Sequence, residues 1–307
     1  MSDPGWRTIA TGLRFPEGPI WCSDGTILLV EIERGTLSRV HMDGRIEVVA
    51  ECGGGPNGAA VGPDGAVYVC NNGGFEWHRI GDLLLPGNQP KDYIGGRIQR
   101  VDVASGKVED VYIACEGRPL RGPNDIVFDE TGGFWFTDLG KMRERDRDRT
   151  GIFYARPDGS SIREMAFPVD GGPNGIGLSP AGDRVYAAET YTGRVEYWEL
   201  SGPGEIRPNP LSAHGGYLLA DLAAGEMLDS LAVDAEGNVC VGTIVNGGIT
   251  IFTPKGDYHH VPTDDPLTTN ICFGDDSLST AFVTCSSSGR LVTRTWETPG
   301  LRLPFNL

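Results

Sequence analysis

The chain is short of positive charge, of histidine and of long apolar runs, and each shortage removes a class of function. Lysine and arginine total 26 against 42 aspartates and glutamates, a formal net charge of −16 with a pI near 4.7. A field of that sign repels phosphate, which argues against nucleic acid or an anionic membrane surface as a partner. No segment approaches the roughly 18 apolar residues of a membrane span. The opening residues Met1-Ser2-Asp3-Pro4-Gly5-Trp6 lack the basic and apolar regions of a secretion signal, so a cytoplasmic protein is expected. The seven cysteines, Cys22, Cys52, Cys70, Cys115, Cys240, Cys272 and Cys285, are odd in number, dispersed and never spaced Cys-x-x-Cys. That pattern favours structural thiols over a disulfide frame or a zinc site. No Gly-x-Ser-x-Gly elbow is present, and long stretches of helical periodicity are missing.

What the chain does have is glycine and proline, 45 and 21 residues, placed at repeating turn positions. The clearest copy of the repeat is Pro173 to Ala188. Ile176 and Leu178 lie two apart, as on one face of a strand, Pro180 to Asp183 supply turn chemistry, and Val185 to Ala188 resume a β-rich run. The same template fits at Pro16-Glu17-Gly18, Pro56-Asn57-Gly58, Pro123-Asn124-Asp125, Leu228-Asp229-Ser230 and, more weakly, Thr269-Asn270-Ile271. The heads of the six copies are Glu17, Asn57, Asn124, Asn174, Asp229 and Asn270, at intervals of 40, 67, 50, 55 and 41 residues. That is the scale of a four-stranded propeller blade with insertions. The expected fold is therefore all-β, a six-bladed β-propeller of four-stranded blades forming one domain over residues 1–307. The β-like runs at Trp6 to Ala10 and Leu291 to Trp296 are expected to pair and close the ring, which removes an open sheet edge.

Two blades are longer than the rest. Residues 71–95 form an aromatic insertion with Phe75, Trp77, His78 and Tyr93, and Lys141 to Arg149 form a mixed-charge one. Both fall between the second and third strands of a blade, on the face where the heads lie. The first reads as a lid or pocket wall, the second as a solvated loop with paired charges.

The first strand of each blade lines the channel, so the six heads converge, and all six are acids or amides. Asn and Asp favour strand entries for local reasons. That explains Asn57 and Asn270 but not why carboxylates occupy two of six equivalent places. Two carboxylates in one channel repel unless a cation or proton compensates them. A divalent ion on hard oxygen ligands, Ca²⁺ or Mg²⁺ before Zn²⁺, resolves this. Of the five histidines, only His78 is placed to reach the mouth, and it reads as an exposed loop residue; His41, His214, His259 and His260 fall in outer strands or loops.

Four ordered motifs cover nearly the whole chain: Phe15-Pro16-Glu17-Gly18-Pro19; Gly122-Pro123-Asn124-Asp125 leading to Phe136-Thr137-Asp138; Pro173-Asn174-Gly175 with Ser179-Pro180; and Asp229-Ser230-Leu231-Ala232-Val233-Asp234 with Gly237-Asn238. Together they resemble the senescence marker protein, gluconolactonase and luciferin-regenerating enzyme family, which includes regucalcin and bacterial sugar lactonases. The resemblance implies metal ligands at Glu17, Asn174 and Asp229, with Asp229 also the general base, one divalent ion (Ca²⁺ foremost; Mg²⁺, Mn²⁺ or Zn²⁺ as alternatives), and a small-molecule lactone as substrate. Asn124 matches a position that touches metal or substrate in different members. The family's substrate arginine, two residues before that asparagine, is replaced here by Gly122, and the nearest arginine is Arg121; Asn124 and Arg121 are the substrate-binding candidates. The commoner Asp-Gly after the blade-five head is Asp229-Ser230. The implied chemistry is hydrolysis of a cyclic ester. A phosphotriesterase or fluorophosphatase on the same scaffold and a non-catalytic calcium-binding propeller are the alternatives.

Overall fold

A computed structural model describes residues 5–222 and 225–306; Met1 to Pro4, read above for a secretion signal, lie outside the described residues. Among the described residues there is no helix, and none long and apolar enough to cross a membrane. Six antiparallel sheets succeed one another around a ring. Their inner strands are Pro16–Trp21, Pro56–Val61, Pro123–Phe128, Pro173–Leu178, Met227–Val233 and Thr268–Gly274. These define blades 1 to 6, and each inner strand carries one head. The ring closes in blade 6, where Arg7–Thr11 pairs as the outer strand with Arg290–Thr295. The fold is the six-bladed propeller that the repeat predicts.

Stability resides in the wedges between blades. Second strands such as Ile27–Glu31 and Phe134–Asp138 are buried along their whole length because sheets cover both of their faces. Between blades 2 and 3, Tyr68, Phe128, Phe134, Phe136 and Phe153 pack together, and Trp135 and Trp198 fill the next wedge. Each such ring contributes roughly 1.5–3 kcal/mol. The wedges can therefore carry the ring while the channel keeps polar side chains. All seven cysteines are free, six of them buried, as the dispersed spacing indicates.

Blade 4 departs from the plain four-strand plan. Its third strand, Arg194–Gly202, is long enough to take two partners end to end: Tyr217–Asp221 on its first half and Glu205–Arg207 on its second.

At every head the pairing of inner and second strand shifts register: between Glu17 and Ile20, Pro56 and Ala59, Pro123 and Ile126, Pro173 and Ile176, Leu228 and Leu231, and Thr268 and Asn270. The bulge takes Asn57, Asn124, Asn174 and Asp229 out of the ladder, while Glu17 stays paired with Val30 and Asn270 with Thr284 at its edge. The inner strands also approach one another closely. A Cβ at Gly18 would lie 2.7 Å from the Ala59 nitrogen, and one at Gly175 2.6 Å from the Leu231 nitrogen. Glycine after a head is thus a packing requirement at the axis.

The blade-two insertion folds into a hairpin, Trp77–Ile80 with Leu83–Pro86, on the head face. It leans over blade 1 and reaches blade 6: Trp77 meets Phe15 with ring centroids 5.1 Å apart, and the Leu84 amide donates to the Ser287 carbonyl at 2.8 Å. The blade-three insertion differs in one respect from a solvated loop. Arg143 does pair with Asp146 and Asp148, and Arg149 with Asp170. Lys141, however, is 2% exposed; its ammonium donates to Asn72 Oδ1 at 3.1 Å and the Gly74 carbonyl at 2.5 Å and lies 4.0 Å over the Phe75 ring.

Candidate active site and metal centre

The heads enter from six different strands, and neighbours fix each in turn. Glu17, 1% exposed, accepts at Oε2 from its own following amide, Gly18, and from Asn270 Nδ2, both at 2.9 Å. Asn270 is locked in place because its Oδ1 accepts from the Ile271 amide at 2.8 Å. Asn174 donates through Nδ2 to Thr190 Oγ1 at 3.0 Å, which leaves Oδ1 turned to blade 5, where Ser230 Oγ donates to it at 3.3 Å. Asn174 also hydrogen-bonds the half-buried Asp229. Asn57 and Asn124 are buried, and Asn124 Oδ1 has no hydrogen-bond partner.

A third carboxylate, Asp125, joins the two heads. Its Oδ1 accepts from Ile126 N at 3.0 Å and its Oδ2 from Ile176 N at 3.2 Å, so it bridges blade 3 to blade 4 beneath the heads. The three acids feel one another. Burial first, then hydrogen bonds working against it, leave the Glu17 carboxyl raised to about 6. Burial and the Glu17 charge push Asp125 up to about 7. Burial and Glu17 also hold Asp229 well above the ordinary carboxylate range. Burial is the first cause at all three, and at Asp125 and Asp229 the Glu17 charge adds to it.

The residues fit a divalent cation. The orphaned Asn124 Oδ1, the Asn174 Oδ1 and two carboxylates in mutual repulsion supply hard oxygen donors without nitrogen or sulfur. Below them a cavity of about 300 Å³ runs through the ring to the opposite face, lined by Trp21, Leu178, Val233, Phe273 and Phe305, and it reaches up to Asp125 and Asn270.

Of the candidates from the sequence, Glu17, Asn174 and Asp229 thus interact within one cluster. Asn124, beside Asp125, has the unpartnered oxygen. Arg121 lies apart at the rim: its side chain is exposed, its amide donates to Asp138 Oδ2 at 2.8 Å, and its carbonyl accepts from the Tyr93 hydroxyl. His78 is exposed on the hairpin. Sequence reasoning missed Asp125, Ser230 and Thr190. A usable signal existed for the first: the residue after the head is glycine in blades 1, 2 and 4 but a carboxylate in blade 3.

The family model described as SMP-30/Gluconolactonase/LRE-like region matches residues 15–287. The chain belongs to this family. Within it, the gluconolactonase of Zymomonas mobilis is 24% identical over 306 residues, covering 91% of this chain and 78% of that one. Lactonase drp35 of Staphylococcus saprophyticus is 25% identical over 260 residues, covering 83% and 71%. The solved structure of regucalcin from Agrobacterium tumefaciens, a calcium-binding protein, matches with a TM-score of 0.77 over 99% of this chain and 97% of that chain, at 17% identity, a likeness of fold.

Proposed function

We propose that the protein is a divalent-metal-dependent lactonase whose centre is the head cluster. The observation that carries this reading is the convergence of Glu17, Asp125 and Asp229, each raised first by burial, with an unpartnered amide oxygen, Asn124 Oδ1. Relatives named gluconolactonase and lactonase support the hydrolysis of a lactone.

Glu17, Asn174 and Asp229 would hold the ion, with Asn124 beside them. When bound, it supplies a Lewis acid that polarises the lactone carbonyl and takes up developing negative charge. The remaining steps belong to the chain. Asp229, oriented by Asn174 and Ser230, removes a proton from a water whose oxygen adds to the carbonyl carbon. The carbon to ring-oxygen bond then breaks, and the proton held on Asp229 passes to the departing alkoxide, giving a hydroxy acid. Glu17 stays fixed by Gly18 and Asn270, so it orients without moving. The aromatic hairpin over blades 1 and 6 excludes water from one side of the mouth. Asn124, and Arg121 from the rim, would hold substrate oxygens.

The test is a panel of aldono-lactones, aromatic lactones and a fluorophosphate offered to metal-stripped protein with and without Ca²⁺, Mg²⁺, Mn²⁺ or Zn²⁺, followed by acid release. Ion-dependent opening of a lactone is the expected result. Turnover of the phosphoester alone would replace this reading with phosphoryl chemistry, and no turnover by protein that still binds the ion would leave a calcium-binding module.

A further inference from the structure

The mouth of the channel is walled on one side and open on the other. The hairpin Trp77–Ile80 and Leu83–Pro86 covers the side of blades 1 and 6, where Trp77 and Leu84 pack with Phe15, Ile32 and Leu267. A substrate must therefore approach over blades 3 and 4, and that rim is cationic although the chain carries a net charge of −16. Arg121 stands exposed just before the blade-three head. Arg147, also exposed, is anchored just before the blade-four head: its Nη2 donates to the Asp170 carbonyl at 2.7 Å, and its guanidinium lies 4.6 Å over the Tyr191 ring. Burial raises the Tyr191 hydroxyl, Arg147 lowers it and the Asp229 charge adds to the rise, so the Arg147 stack lies within electrostatic reach of the reacting centre.

Neither arginine is held in a close ion pair, although Asp170 feels the Arg147 charge. Among the described residues, no carboxylate forms an ion pair with Arg121 or Arg147, while the acids around them are engaged elsewhere. Asp146 and Asp148 belong to Arg143, Asp170 to Arg149, and Asp138 accepts from the Arg121, Gly122 and Gly140 amides. Two exposed guanidinium groups therefore stand at this rim, each able to donate charge-assisted hydrogen bonds to an oxyanion.

We propose that the preferred substrate is an anionic lactone, one whose ring substituent carries a carboxylate or phosphate, held by Arg147 and Arg121 while its ring carbonyl lies over the heads. This rests on the lactonase reading. Arg147 is the specificity residue, stacked on Tyr191 so that its plane is fixed before the substrate arrives. The acidic floor then assists discrimination: it repels the anionic end and leaves the rim as its only favourable place.

The experiment compares matched pairs on metal-loaded protein: D-glucaro-γ-lactone against D-glucono-γ-lactone for the carboxylate, and D-glucono-δ-lactone with and without its 6-phosphate for the phosphate. The anionic member of at least one pair is expected to show the higher kcat/KM, the pair identifying which oxyanion is read. Arg147→Gln is expected to reduce that preference roughly tenfold, through KM, as for loss of one charge-assisted contact. Added NaCl is expected to raise KM for the anionic lactone; a KM that falls with salt would mean that the net negative field dominates, and would overturn the proposal. An unchanged preference in Arg147→Gln, or equal turnover within both pairs, would overturn it and leave the lactonase reading intact. If no lactone is opened, calorimetry with the product acids decides: glucarate or 6-phosphogluconate binding that exceeds gluconate and is lost in Arg147→Gln retains the anion site without the lactonase, and equal binding ends both.

Discussion

Glu17→Gln should stabilise the metal-free protein at neutral pH while abolishing its stabilisation by metal. The Glu17 carboxyl is raised from 4.5 to about 6 and Asp125 from 3.8 to about 7. Acids raised in the folded state bind protons that the unfolded chain has released, so stability is full below the unfolded values and is lost as pH rises through the folded ones. For metal-free protein the loss should run from about pH 4 to pH 7. At 1.36 kcal/mol per unit, ionising Glu17 costs about 2 kcal/mol and Asp125 about 4 kcal/mol. Their shared repulsion enters both figures, so the joint loss is smaller than the two combined. With about 2 °C of Tm per kcal/mol for a chain of this size, Glu17→Gln should gain roughly 4 °C at pH 7.5 in EDTA. Wild type should regain its loss on adding Ca²⁺, and the variant should not respond. The assay is a thermal melt across pH 4 to 8 with and without ion, in 0.5 M NaCl to screen surface repulsion. A metal-free melting temperature that is flat or rising between pH 5 and 7.5, or a variant that matches wild type with and without ion, would refute the reasoning.

Asn124→Leu removes the unpartnered Oδ1, so metal-free stability should fall by less than about 1 kcal/mol, since no satisfied bond at that oxygen is lost, while lactone turnover drops at least tenfold; denaturant melts and initial rates check both. Gly18→Ala places a Cβ against the Ala59 nitrogen and Asn57 carbonyl at a residue with φ of +51°, and a loss of more than about 2 kcal/mol is expected by urea unfolding. Lys141, held down to about 7 by burial, is charged in the unfolded chain and partly neutral in the folded one, so stability should rise as pH increases from 7.5 to 9.5. Lys141→Met keeps the apolar stem against Phe75 and should flatten that rise, as read from melting temperatures in the same buffers.

Much of the fold was legible because a propeller blade writes itself locally. Pro-Asn-Gly at 173 to 175, a period of two through Ile176 and Leu178, and the turn at 180 to 183 state one hairpin, and six copies state the ring. The heads were legible for the same reason. Asp125 was not, because an aspartate after an asparagine reads as strand-entry chemistry; its place under the heads comes from the bulge at Pro123 to Ile126 and from the Ile176 amide of the next blade. Lys141 opens a run of alternating charges that reads as solvated, yet its acceptors, Asn72 and Gly74, lie 67 to 69 residues earlier in the chain. The split outer strand of blade 4 depends on the length of Arg194–Gly202, which no turn residue marks in advance.

The most direct measurement is a Ca²⁺ titration of lactone turnover on metal-stripped protein, with Glu17→Gln and Asp229→Asn alongside. Activity should return in proportion to added ion, saturate at one equivalent per chain, and fail to return in either variant. Full turnover by the stripped protein, or restoration of both variants to wild-type rates, would contradict a cation held by Glu17, Asn174 and Asp229 as the catalytic centre.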